Sequence, residues 1–344
     1  MPADLSEGRK PKDEDFIETQ EGLLFRVLGY LHPPDRYTAY LHYDRCEPAG
    51  SGPKASYRKV PHRFNAEGIA GTIRYLERAY PHYVYDCPVQ GVRFSMVPHQ
   101  HVRRYLAPEA RLPAIVQSPA DTLEELVRAL ALSLVEAAGV PLAALGVTGS
   151  VLAGIHDPTT SDIDLVSYGR QEALRLNAVL AGRRPDGIDP VEQERLAHWV
   201  WELEHDFPLS PQVAAYLVGR RWNCGRYGGR FFSVWHVRAD HEITETYGER
   251  TYRSLGQGRV RATVRTVREA MFLPATYAVD RQTVLKGPRV EITEIVTHDM
   301  RFVDTFEEGM TVEVTGRVEA VGDEGYRLVI GAEELAGRDY IRPI

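Results

Sequence analysis

A strand that carries two aspartates constrains the fold of this 344-residue chain more than any other feature. Residues 162–166 read Asp-Ile-Asp-Leu-Val, a mostly apolar run with β-branched members that predicts a short buried strand. Side chains two apart on a strand share a face, so Asp162 and Asp164 should point together while Ile163 and Leu165 enter a core. Adjacent carboxylates repel each other, and a hard cation such as Mg²⁺ would explain them. The plain alternative is a solvated turn or capping pair.

A glycine-serine turn precedes this strand. The apolar run 143–147 predicts a short strand, after which Gly149 and Ser150 begin a helical stretch. Gly149 lets a backbone N–H approach a phosphate closely, and Ser150 adds a hydroxyl at a helix start. An isolated Gly-Ser pair would be an ordinary turn. Here it predicts an anion site one loop away from a cation site, an arrangement that suits a nucleoside triphosphate with Mg²⁺.

These residues carry a resemblance. Gly149-Ser150, eleven further residues and then Asp162-Ile163-Asp164-Leu165 resemble the signature of the polymerase-β-like nucleotidyltransferase superfamily. The whole chain is also similar to uncharacterised prokaryotic proteins described as predicted nucleotidyltransferases. The resemblance implies an α+β fold with a nucleotidyltransferase core, that is, a mixed β-sheet with flanking helices. It also implies two-metal transfer of a nucleotidyl group from an NTP such as ATP, with Gly149 and Ser150 on the triphosphate and Asp162 and Asp164 on Mg²⁺ or Mn²⁺.

The superfamily usually supplies a third carboxylate from a later strand. The best later strand here, residues 230–238, reads Arg-Phe-Phe-Ser-Val-Trp-His-Val-Arg and has no acid in its body. Asp240 lies just beyond its end and is our candidate for the third catalytic acid. The missing acid leaves open a protein that kept the fold and binds nucleic acid or nucleotide without catalysis.

Three further residues are candidates for nucleotide binding. His156 and Ser161 follow the Gly-Ser turn closely enough in sequence to reach a triphosphate, although a simple helix terminus explains His156 equally well. Arg226 lies in the segment 220–230, which is rich in Arg, Gly and aromatic residues. Guanidinium groups suit phosphates, and a solvated loop is the alternative.

The pattern along the chain predicts a tail and three folded parts. These are a mobile tail at 1–15, an N-terminal α+β region at 16–117, the catalytic core at 118–250, and a small C-terminal β-barrel-like, OB-like or sandwich domain at 251–344. The first strand of the last part places Arg259, Arg261 and Arg265 on one face. We expect a solvated face whose charges block edge pairing rather than a track for a nucleic-acid backbone.

Composition limits the function classes. The formal net charge is −7, so any nucleic-acid surface must be local. No apolar run approaches the ~20 residues of a membrane span, which predicts a cytoplasmic protein without membrane contact. The predicted function is metal-dependent transfer of an NMP to an acceptor hydroxyl, and the Arg-rich segments favour RNA or DNA as the acceptor. A nucleotidyltransferase that acts on small molecules or proteins is the other alternative.

Overall fold

The computed structural model describes residues 9–46, 56–60 and 66–344. Seven α-helices lie within this described part, and they are, in chain order, α1 (Ala66–Ala79), α2 (Pro108–Gln117), α3 (Thr122–Ala138), α4 (Gly149–Ala153), α5 (Arg170–Ala181), α6 (Gln193–Asp206) and α7 (Pro211–Gly219). None of these helices is long and apolar enough to cross a membrane.

The same part of the chain forms eighteen strands. They are β1 (Phe16–Thr19), β2 (Leu24–Val27), β3 (Arg36–Cys46), β4 (Ser56–Lys59), β5 (Val84–Cys87), β6 (Val92–Pro98), β7 (Val102–Leu106), β8 (Leu145–Val147), β9 (Ile163–Tyr168), β10 (Ile188–Asp189), β11 (Cys224–Tyr227), β12 (Arg230–Val237), β13 (Tyr252–Glu269), β14 (Ala275–Lys286), β15 (Ile292–Thr297), β16 (Thr311–Val321), β17 (Gly325–Ile330) and β18 (Tyr340–Pro343). The strands form three sheets, so the expected α+β class is confirmed.

The chain divides into two compact units that are discontinuous in sequence. The first contains residues up to Val60, Ser95–Val191 and Trp222–Glu245, and the second contains the rest. This division differs from the expected boundaries at 117 and 250. The N-terminal strands belong with the Asp strand in the first unit, whereas α6 and α7 belong with the C-terminal strands in the second.

The first unit contains a mixed sheet in the order β10-β11-β12-β9-β8. Only the central pair, β9 with β12, is parallel, with Phe232 level with Ile163 and Val237 level with Tyr168. Helices α2, α3 and α5 supply Leu112, Val127 and other apolar side chains to the core on this sheet. The Asp strand, β9, is therefore an inner strand of a mixed sheet with flanking helices.

Helix α3 shows how local sequence sets these elements. The Asp121 side chain accepts hydrogen bonds from the N–H groups of Leu123 and Glu124, and it caps the helix N-terminus. Gly139 ends the helix with φ +61°, a left-handed conformation that favours glycine. The residues at its two ends therefore set the length of the helix.

The N-terminal strands of the first unit form an antiparallel sheet. Its order is β7-β1-β2-β3, and β4 and the end of β6 also pair with β3. Phe16 and Leu24 from this sheet pack against Leu152 of α4. The N-terminal sheet thus supports the helix that begins at the Gly-Ser turn.

The expected mobile tail at 1–15 is wrong over its described part. Lys12 is 2% exposed and Asp15 is fully buried, and Arg9 pairs with Asp15 through both guanidinium nitrogens at 2.5 and 2.6 Å. This highly charged segment can be buried because its charges form ion pairs. Some of the partners, such as Glu109, are distant in sequence. Residues 1–8 lie outside the described residues.

The second unit is built mainly on the C-terminal strands. Strand β13 pairs with β14 and also with β16, so the pairing runs β13-β14-β15-β17-β16 and returns to β13, and β18 adds to β16. The β15–β17 pair is parallel, whereas β14–β15 and β16–β17 are antiparallel. Apolar residues of α6 and α7, among them Leu203 and Leu217, share the core of these strands.

Candidate active site

The two aspartates lie at the start of β9 as the alternation predicts. Ile163 and Leu165 are fully buried and belong to the core between sheet and helices. Asp164 is half-buried on the opposite face, and Asp162, immediately before the strand, is exposed. Two carboxylates two residues apart therefore stand on one face at one end of a rigid central strand.

The Gly-Ser turn abuts the second aspartate. The N–H of Thr148 donates to the Asp164 carbonyl oxygen at 2.9 Å, which fixes the end of β8 beside β9. Gly149 has φ +65°, and a Cβ atom on it would lie 2.8 Å from Asp164 Oδ2. Glycine is required here both by the backbone conformation and by the close approach. Ser150 follows, half-buried, within α4.

The neighbouring strand supplies a serine where an acid was sought. Ser233 of β12 is level with Asp164 in the parallel pair, and its hydroxyl donates to Asp164 Oδ1 at 2.6 Å. Ser233 is 5% exposed. This hydrogen bond holds the plane of the carboxylate, so Ser233 fixes Asp164 at Oδ1 while Gly149 packs near Oδ2.

Asp240 does not join the pair. It follows the C-terminal end of β12, whereas Asp162 precedes the N-terminal end of β9, and these parallel strands run side by side over six residue pairs. That length separates the two ends by about 16 Å. Asp240 Oδ1 accepts instead from Lys12 Nζ at 2.6 Å and from the Lys10 N–H at 2.9 Å. Its assignment as third catalytic acid is therefore wrong.

The described part of the chain offers no substitute for that acid. There, no third Asp, Glu, His or Cys joins Asp162 and Asp164 in a cluster whose ligand atoms all lie within 4.8 Å of one another. The site is thus a two-carboxylate site with a serine beside it.

The candidate nucleotide-binding residues His156 and Ser161 make local contacts. His156 Nε2 lies 2.8 Å from Asp121 Oδ2, at the capped end of α3. Burial acts to raise the pKa of Asp121, but hydrogen bonds from the Glu124 N–H and from His156 outweigh it and lower that pKa. The Ser161 hydroxyl accepts from the Asp157 N–H at 3.0 Å. The alternative interpretation of His156, a helix-terminus residue, fits this geometry.

Arg226 lies near the aspartates in the sheet. It pairs with Phe231 in the β11–β12 hairpin, and Phe231 is one residue before the position level with Ile163. Arg226 is therefore level with Asp162 two strands away, or about 10 Å across the sheet. Its guanidinium donates to the Gly229 carbonyl at 2.9 Å.

Tyr43 is a site residue that sequence reasoning missed. It belongs to β3 of the N-terminal sheet, and its ring stacks on Phe16 with centroids 6.2 Å apart. Burial raises the pKa of Tyr43, and the negative charges of Asp164 and Asp162 raise it further, which places the phenol within electrostatic range of both carboxylates. The alternation of Tyr37-Thr-Ala-Tyr-Leu-His-Tyr43 predicts the strand but not its partner.

The N-terminal segment braces the same site from behind. Thr148 is buried, and its hydroxyl donates to the Glu14 carbonyl at 2.7 Å. Glu14 is itself buried and pairs with Arg26 of β2. Because Thr148 is the residue before Gly149, this contact ties the position of the Gly-Ser turn to the buried charged segment.

The donor set fits a hard divalent cation. Carboxylate oxygens are the protein ligands that Mg²⁺ prefers, and it keeps its remaining positions for water and phosphate. Asp164 Oδ1 has a second lone pair beyond the one that accepts from Ser233, and Asp162 is exposed. The close packing of Gly149 on Asp164 also leaves backbone rather than side chain beside the carboxylate.

Comparison with known proteins finds one similar protein, and no activity is described for it. The chain is 28% identical to the uncharacterized protein MJ1086 of the archaeon Methanocaldococcus jannaschii over 348 aligned positions, covering 97% of this chain and 99% of that protein. No model of a protein family matches the chain. No solved structure matches it either.

Proposed function

We propose that the chain is a metal-dependent nucleotidyltransferase of the polymerase-β-like superfamily, which moves an NMP from an NTP to an acceptor hydroxyl. The observation that carries the proposal is the close approach of Gly149 to Asp164, with Asp162 on the same face. This arrangement supports a phosphate-binding turn and a cation-binding carboxylate pair within one site. The Gly-Ser turn, the Asp strand and the neighbouring parallel strand follow one another in the chain and pack on the core of the first unit.

Each side chain has a distinct part in this proposal. Asp162 and Asp164 would hold the divalent cations, and Ser233 keeps the Asp164 carboxylate oriented. Gly149 permits close approach of the triphosphate, and the Ser150 hydroxyl offers it a donor. When bound, divalent cations would supply charge neutralisation for the phosphates and lower the pKa of the attacking hydroxyl.

Tyr43 is proposed to contact the substrate. Its phenol lies within range of the negative charges of Asp162 and Asp164, and its raised pKa keeps the hydroxyl protonated as a donor. A donor beside two carboxylates suits a hydroxyl or phosphate oxygen held at the site. The N-terminal sheet would thereby form part of the substrate pocket within the first unit.

The C-terminal strands are proposed to form a small five-stranded barrel. The pairing returns from β16 to β13, which supports closure, and the OB-fold is one such five-stranded Greek-key barrel. A barrel of this kind would present its outer face and loops to a partner. It would leave the transfer chemistry to the first unit.

One observation favours a different function, that of a nucleotide-binding protein without transferase activity. Ser233 stands where the neighbouring strand comes level with Asp164, so no carboxylate is available there to accept the proton of an acceptor hydroxyl. Such a protein would bind an NTP with its cation and release it unchanged. Two carboxylates on one face can hold the two cations of a transfer reaction, whereas binding of an NTP needs only one, and this supports the enzyme over the alternative.

The test is label transfer from each of the four α-³²P-labelled NTPs. The protein is incubated with Mg²⁺ or Mn²⁺ and, separately, with RNA, DNA or protein acceptors. We expect transfer by the wild type and a loss of at least about 100-fold in Asp162→Asn/Asp164→Asn, since both cation ligands lose their charge.

Asp157→Asn is the matched control. Asp157 is an exposed aspartate in the loop before Asp162, and its hydrogen bonds to Thr159 can be kept by an asparagine. We expect this variant to retain transfer. Equal transfer by the double variant and the wild type would refute the assignment of the cation ligands. NTP binding with no transfer to any acceptor would support the binding protein instead.

A further inference from the structure

A basic face lies on the outer side of the C-terminal strands. Along β13, Val260 and Ala262 are 1% exposed and point into the core, so the alternating Arg259 and Arg261 point outward and are exposed. Arg259 is level with Lys286 of β14. We define the basic face as Arg259, Arg261, Lys286 and Arg342.

Strand pairing extends this face across β16 to β18. Arg261 is level with Glu313 of β16, and Glu313 is level with Arg342 of β18. Glu313 is 6% exposed and accepts hydrogen bonds at 2.7 Å from Arg342 and from the Tyr340 hydroxyl. Arg261 lies 3.6 Å from its other oxygen.

The buried Glu313 carboxylate therefore pairs with two of the four cations, Arg261 and Arg342. Among the residues that the structure describes, no Asp or Glu forms an ion pair with Arg259 or Lys286. Like charges directly opposite on neighbouring strands destabilise a sheet, so this pair costs stability. The cost would be offset by a polyanionic partner.

Protection of a sheet edge does not explain these arginines. Strand β13 is hydrogen-bonded on both sides, to β14 over Arg259 and Arg261 and to β16 over the same residues. Charges that block edge pairing are useful only on a strand with a free edge. The sequence-based preference for that explanation is therefore wrong.

We propose that the basic face binds the phosphodiester backbone of a single-stranded nucleic acid. Arg259 and Lys286 stand about 5 Å apart on neighbouring strands, Arg259 and Arg261 about 7 Å apart along β13, and Arg261 and Arg342 about 10 Å apart across β16. Cations spread over several strands in this way suit a repeating anion. Three of the four are arginines, whose planar guanidinium groups match phosphate oxygens.

The test is fluorescence anisotropy with a labelled single-stranded RNA of about 20 nucleotides and a DNA of the same sequence, at several salt concentrations. We expect Arg259→Gln/Lys286→Gln to bind at least about ten-fold more weakly at low salt. The slope of log K against log salt should fall by roughly 1.4, because each single-strand phosphate contact contributes ~0.7.

Arg74→Gln/Arg78→Gln is the matched control. These arginines are exposed on α1 in the same unit, and their replacement makes the same change of net charge. The control should bind like the wild type. Equal weakening in both variants, absence of binding by the wild type, or tighter binding to anionic phospholipid vesicles than to either oligonucleotide would each overturn the proposal.

This surface does not depend on the proposed transfer reaction. Neither Asp162 nor Asp164 belongs to the basic face, and the binding measurement needs neither NTP nor metal. Binding without transfer would thus refute the proposed function alone. Transfer to an acceptor with no role for Arg259 and Lys286 would refute the basic face alone.

Discussion

Ser233 donates its hydroxyl hydrogen to Asp164 Oδ1 at 2.6 Å from the adjacent position on the parallel strand. The bond links β12 and β9, the only parallel pair of this sheet, near the N-terminal end of β9, which Asp162 precedes. A carboxylate at position 233 would share the face of Asp164 in the same register. A third acid could therefore act from position 233. It could not act from position 240, which lies at the other end of the strand.

Replacement of Ser233 by aspartate should increase cation affinity. The variant Ser233→Asp places three carboxylates on one face, so without metal their repulsion should lower the melting temperature. With Mn²⁺, a third ligand should raise the melting temperature by several degrees more than in the wild type, because ligand binding stabilises the folded state. Differential scanning fluorimetry over a Mn²⁺ titration measures both effects.

Ser233→Ala is the control for that substitution. It removes the hydrogen bond without adding charge, so the Mn²⁺-dependent rise should be smaller than in the wild type. An identical response of both variants to Mn²⁺ would argue against a cation site at Asp164.

Gly149→Ala should abolish label transfer with a small loss of stability. Its added Cβ would lie 2.8 Å from Asp164 Oδ2, so either the turn or the carboxylate must move. The positive φ of +65° adds about 1–2 kcal/mol of backbone strain. Transfer assays and thermal melting of the purified variant separate the two effects.

Gly154→Ala provides a close control, since Gly154 ends the same helix. Its φ is +68°, and an added Cβ would meet nothing within 4 Å. The backbone strain is thus shared, but the contact with Asp164 is not. Equal loss of transfer in both variants would mean that strain in α4, rather than the approach to Asp164, accounts for the effect.

The first half of the site could be predicted because it is local in sequence. Alternation along β9 sets the faces of Ile163 and Asp164, and the spacing from Gly149 needs one short helix and one loop. Capping likewise fixes α3, because its signals lie within the helix ends at Asp121 and Gly139. In β9, the Gly-Ser turn and α3, the structure is determined by residues that lie close together in the sequence.

The rest depends on contacts between distant parts of the chain. Tyr43 reaches the aspartates only because the N-terminal sheet packs on α4, a contact that no local pattern encodes. Asp240 is near β12 in sequence, but strand direction carries it to the far end of the sheet. The segment after Arg9 looks like a solvated tail because its charges find partners up to 228 residues away.

Arg9→Met should strongly destabilise the protein. The guanidinium pairs with Asp15, which is fully buried, and with Glu109 at 2.6 Å. Loss of one partner from a buried ion pair leaves an uncompensated charge and typically costs about 3–5 kcal/mol. Urea denaturation followed by circular dichroism measures the free energy of unfolding.

Arg103→Met is the exposed counterpart. The Arg103 side chain is 60% exposed and lies 3.0 Å from Glu18. Water screens the exposed Arg103, and Glu18 keeps its pair with Arg104 at 2.7 Å, so the loss should be about 0–1 kcal/mol and this variant should unfold close to the wild type. Similar unfolding free energies for the Arg9 and Arg103 variants would contradict burial of the N-terminal segment.

Asp13→Asn should stabilise the protein at pH 8 and leave its stability unchanged near pH 4. Burial raises the pKa of Asp13 to about 7 from 3.8, despite a hydrogen bond from the Gly29 N–H and the nearby charge of Arg26. The folded state therefore binds the extra proton, and stability falls as pH rises from about 4 to about 7. Asparagine mimics the protonated carboxyl and should remove that loss, up to about 4 kcal/mol. Urea denaturation of both proteins from pH 4 to pH 8 measures it, and parallel pH profiles would contradict the raised pKa.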